Sequence, residues 1–186
     1  MTESSSRHKP KWYKVGPWDD LEQGDLLPDC PVLLPPDDFA ARLRNAIPGE
    51  PIQLESQIGF ANLIVASQSC DLQNEGKIEN VVLCAYHDAS QYPRNIQTEI
   101  QSGRRPAYYM LEPCDIAKHR FKHQIVELRA IYSLPLAVIH DYAKSLGDRI
   151  RVRSPYKEDF SQSLANFFMR VARPRSVTPI PRENKK

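Results

Sequence analysis

Short apolar runs separated by turn residues dominate the chain. ANLIVAS, ENVVLCAY, PAYYMLEP and HQIVELRAIY are each strand-length, rich in β-branched and aromatic residues, and bounded by Gly, Pro, Asn or Ser. PIQLESQ shares their length and its proline boundary. In DLEQGDLLPDCPVLLPP a Gly-Asp turn precedes apolar stretches that prolines interrupt; proline removes a ladder donor, so this run predicts a short edge strand. DDFAARLRNA spaces its apolar residues near a helical period and stops before Pro48 and Gly49, which predicts a short helix.

Beyond Tyr132 the period lengthens. Ser133 is placed to cap a helix through LPLAVIHDYAKSLG that ends at Gly147, the residue type best suited to a left-handed C-terminal position. DRIRVRS alternates Ile150 and Val152 with Arg149, Arg151 and Arg153, the signature of a half-buried strand with a basic outer face. Ser154 and Pro155 then open the clearest helix, PYKEDFSQSLANFFMRVA. Tyr156, Phe160, Leu164, Phe168 and Val171 form its stripe, with Phe167 beside it and Met169 nearly opposite. One sheet face covers only part of that apolar surface, so Phe167 or Met169 is expected to contact a partner protein. HDASQYPRNIQTEIQSGRR reads as a partly helical surface insertion. The fold expected is mainly β with α, a small curled antiparallel barrel of about five to seven short strands closed by a C-terminal helix.

The chain has 186 residues, enough for one core without disulfide or metal staples. The formal net charge of +2, from 25 Lys and Arg against 23 Asp and Glu, gives no global nucleic-acid or membrane signal. Basic residues among Ser and Pro mark residues 1–17 and 173–186 as mobile arms, leaving residues 18–172 as a single barrel-plus-helix domain. No window of about 18 apolar residues and no secretory leader occur, which predicts a cytoplasmic protein without a membrane partner. Cys30, Cys70, Cys84 and Cys114 are too dispersed for a paired-cysteine motif and are expected to stay thiols, with Cys84 a small buried hydrophobe. The seven glycines do not cluster, so no phosphate-cradling loop and no cofactor is expected.

The order of GDLL (Gly24 to Leu27), LIVAS (Leu63 to Ser67) and NVVLCAY (Asn80 to Tyr86) resembles the beginning of the MazF/PemK-like toxins. The resemblance covers about a third of the chain and implies an SH3-like barrel. In those toxins an Arg-Pro pair introduces the strand that ends in Ser, and a small polar residue follows the next strand; both contribute to RNA cleavage. Here Gly59, Phe60, Ala61 and Asn62 stand at the first position and Ala85, Tyr86 and His87 at the second. An Arg-Arg-Pro does occur, but at Arg104 to Pro106, after the second strand.

Three constellations carry candidate chemistry. Cys70 is a thiol whose neighbour Asp71 disfavours the thiolate, and His87 is the base that the next strand offers; the competing reading packs Cys70 inward, with Ser67, Ser69 and Asp71 satisfying backbone donors. Cys114, His119 and His123 lie close enough to share a metal, provided the segment is helical and a fourth ligand exists. Arg104, Arg105, Lys118, Arg120, Lys122 and the Arg149, Arg151, Arg153 face form a basic surface, with Tyr108 and Tyr109 available for stacking on bases.

The function expected is a non-catalytic, protein-binding regulatory or accessory module on a toxin-like barrel, of the kind that serves toxin-antitoxin, stress or phage-defence systems. One alternative is a sequence-specific endoribonuclease in which Arg104 or Arg105 works with His87, and with Cys70 and Asp71 if the thiol takes part. The other is an RNA- or DNA-binding module without chemistry.

Overall fold

The computed structural model describes residues 11–47, 49, 55–74 and 76–169. Among them run β1 (Tyr13–Gly16), β2 (Leu26–Leu34), α1 (Phe39–Arg44), β3 (Gln57–Val65), α2 (Ser69–Leu72), β4 (Asn80–Asp88), α3 (Arg94–Gln101), β5 (Tyr108–Leu111), β6 (Gln124–Pro135), α4 (Leu136–Ser145), β7 (Arg149–Val152) and α5 (Tyr156–Phe168). The fold mixes β and α, with antiparallel strand pairs throughout. Five strands form one sheet in the order β2-β3-β4-β6-β5, and β1 pairs with β7 in a separate ribbon. An isolated bridge between Asp25 and Arg151 joins ribbon to sheet. Among the described residues the ladder does not close into a barrel, and β2 and β5 are the sheet's edges.

Pairing register sorts side chains onto two faces. Leu26, Ile64, Cys84, Tyr86 and Val126 face the first, where Tyr13 and Val152 of the ribbon and Phe160 of α5 complete a core. Leu27, Leu63, Leu83 and Ala85 face the second, covered by Ile139 and Ala143 of α4. Further along the sheet α3 adds Ile100 against Ile125. Burial from both sides explains why LIVA and LCAY are unbroken apolar blocks instead of alternating ones, while Val82, just before the second, is exposed. Between Cys84, opposite Ile131, and Ala85, opposite Glu127, extra residues of β6 bulge out and bend the strand.

Several expectations shift. Tyr13–Gly16 forms β1 inside the stretch whose composition predicts an arm, because the aromatic ring of Tyr13 is buried in the first core. Ser133 belongs to β6, and Pro135 immediately precedes α4. On α5 the buried stripe runs Tyr156, Phe160, Leu164, Phe167; Phe168, placed in the stripe by the sequence pattern, is exposed. Val171, residues 1–10, 51–54 of PIQLESQ and the tail at 173–186 lie outside the described residues.

Candidate functional site

The acidic stretch before β2 and the arginines of β7 meet in the interior. Asp25, Arg149 and Arg151 are all buried. Asp25 Oδ2 accepts from Arg149 Nε at 3.0 Å and from Arg151 Nη2 at 2.9 Å, while Arg151 Nε donates to Oδ1. Arg151 Nη1 also donates to Glu22 at 2.7 Å, and Lys157 Nζ reaches the same carboxylate at 3.2 Å. The Trp18 ring lies 4.4 Å from the Arg151 guanidinium. Three cations (Arg149, Arg151, Lys157) thus face three carboxylates (Asp20, Glu22, Asp25), and the cluster is balanced. Gly24 makes the approach feasible: its φ is +86°, and an added Cβ would sit 3.1 Å from the Val152 Cβ. The expected basic outer face of DRIRVRS is therefore corrected. Ile150 and Val152 do pack on the first core, but Arg149 and Arg151 point into an ion cluster and are withheld from nucleic acid; only Arg153 is exposed.

The residues named for cleavage are not brought together. Cys70 is exposed on α2, beyond the end of β3, which corrects the inward packing expected of it. Its neighbour Asp71 forms an ion pair with Lys77, whose hydrogen bond holds the Asp71 carboxyl below its ordinary value. Ser67 and Ser69 do satisfy backbone donors: Val82 N–H donates to Ser67 Oγ at 2.9 Å and Gln23 N–H to Ser69 Oγ at 3.2 Å. That contact puts the Cys70 region beside Val82, whereas His87 sits five residues further along β4, roughly 17 Å away at a strand's rise. Ala85 and Tyr108 both pair with Glu127; His87 lies two residues past that level and Arg105 three residues before it, so these two also diverge along the sheet. Arg105 Nε is held by Glu99 at 2.6 Å, and Arg104 Nε donates to Ser102 Oγ at 3.0 Å.

Tyr109 is buried, with its hydroxyl donating to Asp159 at 2.9 Å and its ring against Phe160, so it ties β5 to α5 and offers no base a face. Tyr108 is half-buried, 5.2 Å from the Arg129 guanidinium. Residues 114–121 fold as a hairpin closed by Cys114 and Phe121, not as a helix. Cys114 is buried, His123 Nε2 approaches Glu112 at 3.6 Å, and no group of three metal-ligating side chains assembles among the described residues.

Apolar surface is the feature that the patterning understates. β3 pairs with β4 only at Leu63–Val65, so its first half projects with β2 as a two-stranded arm carrying α1 at its end. On one side of that arm Leu33 pairs with Ile58 and Pro31 with Phe60, and Leu33, Ile58 and Phe60 are 69%, 65% and 71% exposed. Leu43 and Ile47 extend apolar exposure toward the tip. At the far end of α5, Phe168 and Met169 are exposed, while Phe167 packs against the first core. No helix among the described residues is long and apolar enough to cross a membrane. The chain matches no protein-family model and no curated protein.

Proposed function

We propose that the protein is a non-catalytic, protein-binding regulatory or accessory module, elaborated from the SH3-like barrel that the toxin resemblance implies, and that it docks partners through the β2–β3 arm. The observation that carries this is the cross-strand cluster of Leu33, Ile58 and Phe60 on a projecting ribbon. Water penalises contiguous exposed apolar surface, and such patches mark interaction sites. A ribbon with open backbone edges also offers strand addition to an extended segment of a partner. Met169, the C-cap residue of α5, supplies the second contact expected of the helix; Phe167, the other residue expected there, packs on the first core. The setting that fits this reading is a cytoplasmic toxin-antitoxin, stress or phage-defence system.

The test is affinity capture from the native host with tagged wild-type protein and an Ile58→Glu, Phe60→Glu variant, scored for bound protein and for bound RNA. The reading expects one protein partner that the variant loses while its circular dichroism stays native. RNA as the sole bound species, or a partner that the variant retains, contradicts it.

A second reading, a nucleic-acid surface, draws on Arg104, Arg105, Tyr108 and Arg129, which share one open pocket with Glu99. Two of those arginines are already engaged by carboxylates, Arg105 by Glu99 and Arg129 by Glu127. That neutralisation leaves this surface weaker than the arm.

A further inference from the structure

A cleft of about 450 Å³ opens on the first sheet face, where the ribbon and α5 leave it uncovered. Leu26, Asn62, Tyr86 and Gln124 form its floor. Three segments distant in sequence build its walls: the sheet itself, the hairpin at 114–121 with His119, Arg120 and Phe121, and the α4–β7 turn with Leu146 and Asp148. Such a volume suits a small molecule, and the lining combines apolar side chains with polar groups able to orient one.

Two polar groups of the floor, the Tyr86 hydroxyl and the Asn62 amide nitrogen, are donors without a partner among the described residues, whereas the Gln124 amide nitrogen donates to the Lys122 carbonyl at 3.1 Å. Tyr86 is 7% exposed, yet among the described residues its hydroxyl makes no hydrogen bond. No described side-chain oxygen or nitrogen is both sealed and unpartnered, so the hydroxyl keeps some accessible surface, and Tyr86 lines the cleft. Burial first, and then the charge of Asp29, push its pKa up, so it stays protonated and able to donate. Asn62 Oδ1 accepts from the Asp29 N–H at 3.0 Å, which commits the oxygen and leaves the amide nitrogen as the free donor. Arg120 is exposed on the wall with no ion pair among the described residues, with Lys118 on the same hairpin and Lys122 just after it. Asp148 is the lining's single carboxylate, and Arg149 there is already spent on Asp25.

We propose that this cleft binds a compact organic anion, with an apolar planar body between the hairpin and the α4–β7 turn and a carboxylate or phosphate drawn in by Arg120 and hydrogen-bonded by the donors of the floor. The apolar part gains from Leu26, Phe121, Leu146 and Ile150, and the anionic part accepts charge-assisted hydrogen bonds from the Tyr86 hydroxyl and the Asn62 amide. The cleft lies on the same sheet face as the exposed side of the docking arm, further in along β3: Asn62 lines the cleft and Phe60 is the next residue outward on that face.

Phenyl phosphate and phenylacetate are titrated into the full chain by calorimetry and by backbone amide NMR, with inorganic phosphate and benzyl alcohol as partial ligands. The expected result is saturable binding of at least one of the two anions, weakened about tenfold or more in Arg120→Ala and in Tyr86→Phe, each checked for an unchanged thermal midpoint. Which anion binds decides between carboxylate and phosphate. Ile58→Glu, four residues further out along β3 than Asn62, keeps this binding while it removes the arm's apolar cluster. Saturation by neither anion, equal binding in both variants, or inorganic phosphate binding as tightly as phenyl phosphate overturns the proposal.

Discussion

Asp25 and Arg151 face each other across an antiparallel bridge with both side chains sealed from solvent, joined at 2.9 Å between Oδ2 and Nη2 and by a second bond from Nε to Oδ1. Removing charges from water is expensive, and the pair is tolerable because Arg149, Glu22 and the Trp18 ring complete it. The bridge is also where the β1–β7 ribbon meets the main sheet. Asp25→Ala leaves two buried guanidiniums without their shared carboxylate and should cost about 3–5 kcal/mol in urea denaturation. Arg153→Ala, on the same strand's exposed end, should change stability by less than about 0.5 kcal/mol. Equal effects would remove the cluster's structural role.

On α5 the two sides predict opposite outcomes. Phe160 is fully buried against Tyr109, so Phe160→Ala should lower stability by about 3–5 kcal/mol. Met169 is 73% exposed, and Met169→Glu should leave the thermal midpoint within a degree or so of wild type, as expected of a surface change under about 0.5 kcal/mol. A marked fall in the midpoint for Met169→Glu would place that residue in the core.

These pairings show what the chain's pattern can and cannot disclose. Alternation in DRIRVRS separates Ile150 and Val152 from the arginines, and the structure keeps that separation. Alternation does not say what covers the second side. The clue was present in WDDLEQGD, whose four acidic residues match the basic strand, but only the fold brings positions so far apart in sequence together. The strands ANLIVAS, ENVVLCAY, PAYYMLEP and HQIVELRAIY were legible because their apolar runs are bounded by turns. Leu33, Ile58 and Phe60 look like core residues in any one-dimensional reading. Their exposure follows from β4 ending its pairing with β3 at Leu63, a fact of register and not of composition.

Alkaline pH should unfold the protein together with tyrosine ionisation. Burial raises Tyr13, Tyr86 and Tyr109 well above their ordinary value of 10.0, with Asp159 adding to the effect at Tyr109. A folded-state pKa above the unfolded one gives stability that is intact below pH 10.0 and is lost as pH rises from there toward the folded values. Each such tyrosine should steepen the loss by about 1.4 kcal/mol per pH unit. Tyrosinate absorbance and far-ultraviolet circular dichroism recorded over one titration should change together. Early ionisation of all eight tyrosines in a chain that stays folded would contradict their burial.

Thiol accessibility separates Cys70 from the rest. Cys30 and Cys84 are buried, their thiols pushed up to about 11 and about 12, and Cys114 is buried as well. A disulfide reagent at neutral pH should label Cys70 alone in the native protein and all four cysteines in denaturant. Cys70→Ser should leave both stability and partner capture unchanged. A selective loss of function at unchanged stability would instead make the thiol reactive.

The docking arm is tested most directly by a photo-crosslinking amino acid placed at Phe60, and for comparison at Asp141 of α4, which is exposed and away from both proposed contacts, in the native host. From Phe60 one discrete protein adduct is expected, lost when Ile58→Glu is added to the same chain. Adducts only to RNA from Phe60, or the same protein adduct from Asp141 and from Phe60 with Ile58→Glu present, would contradict it.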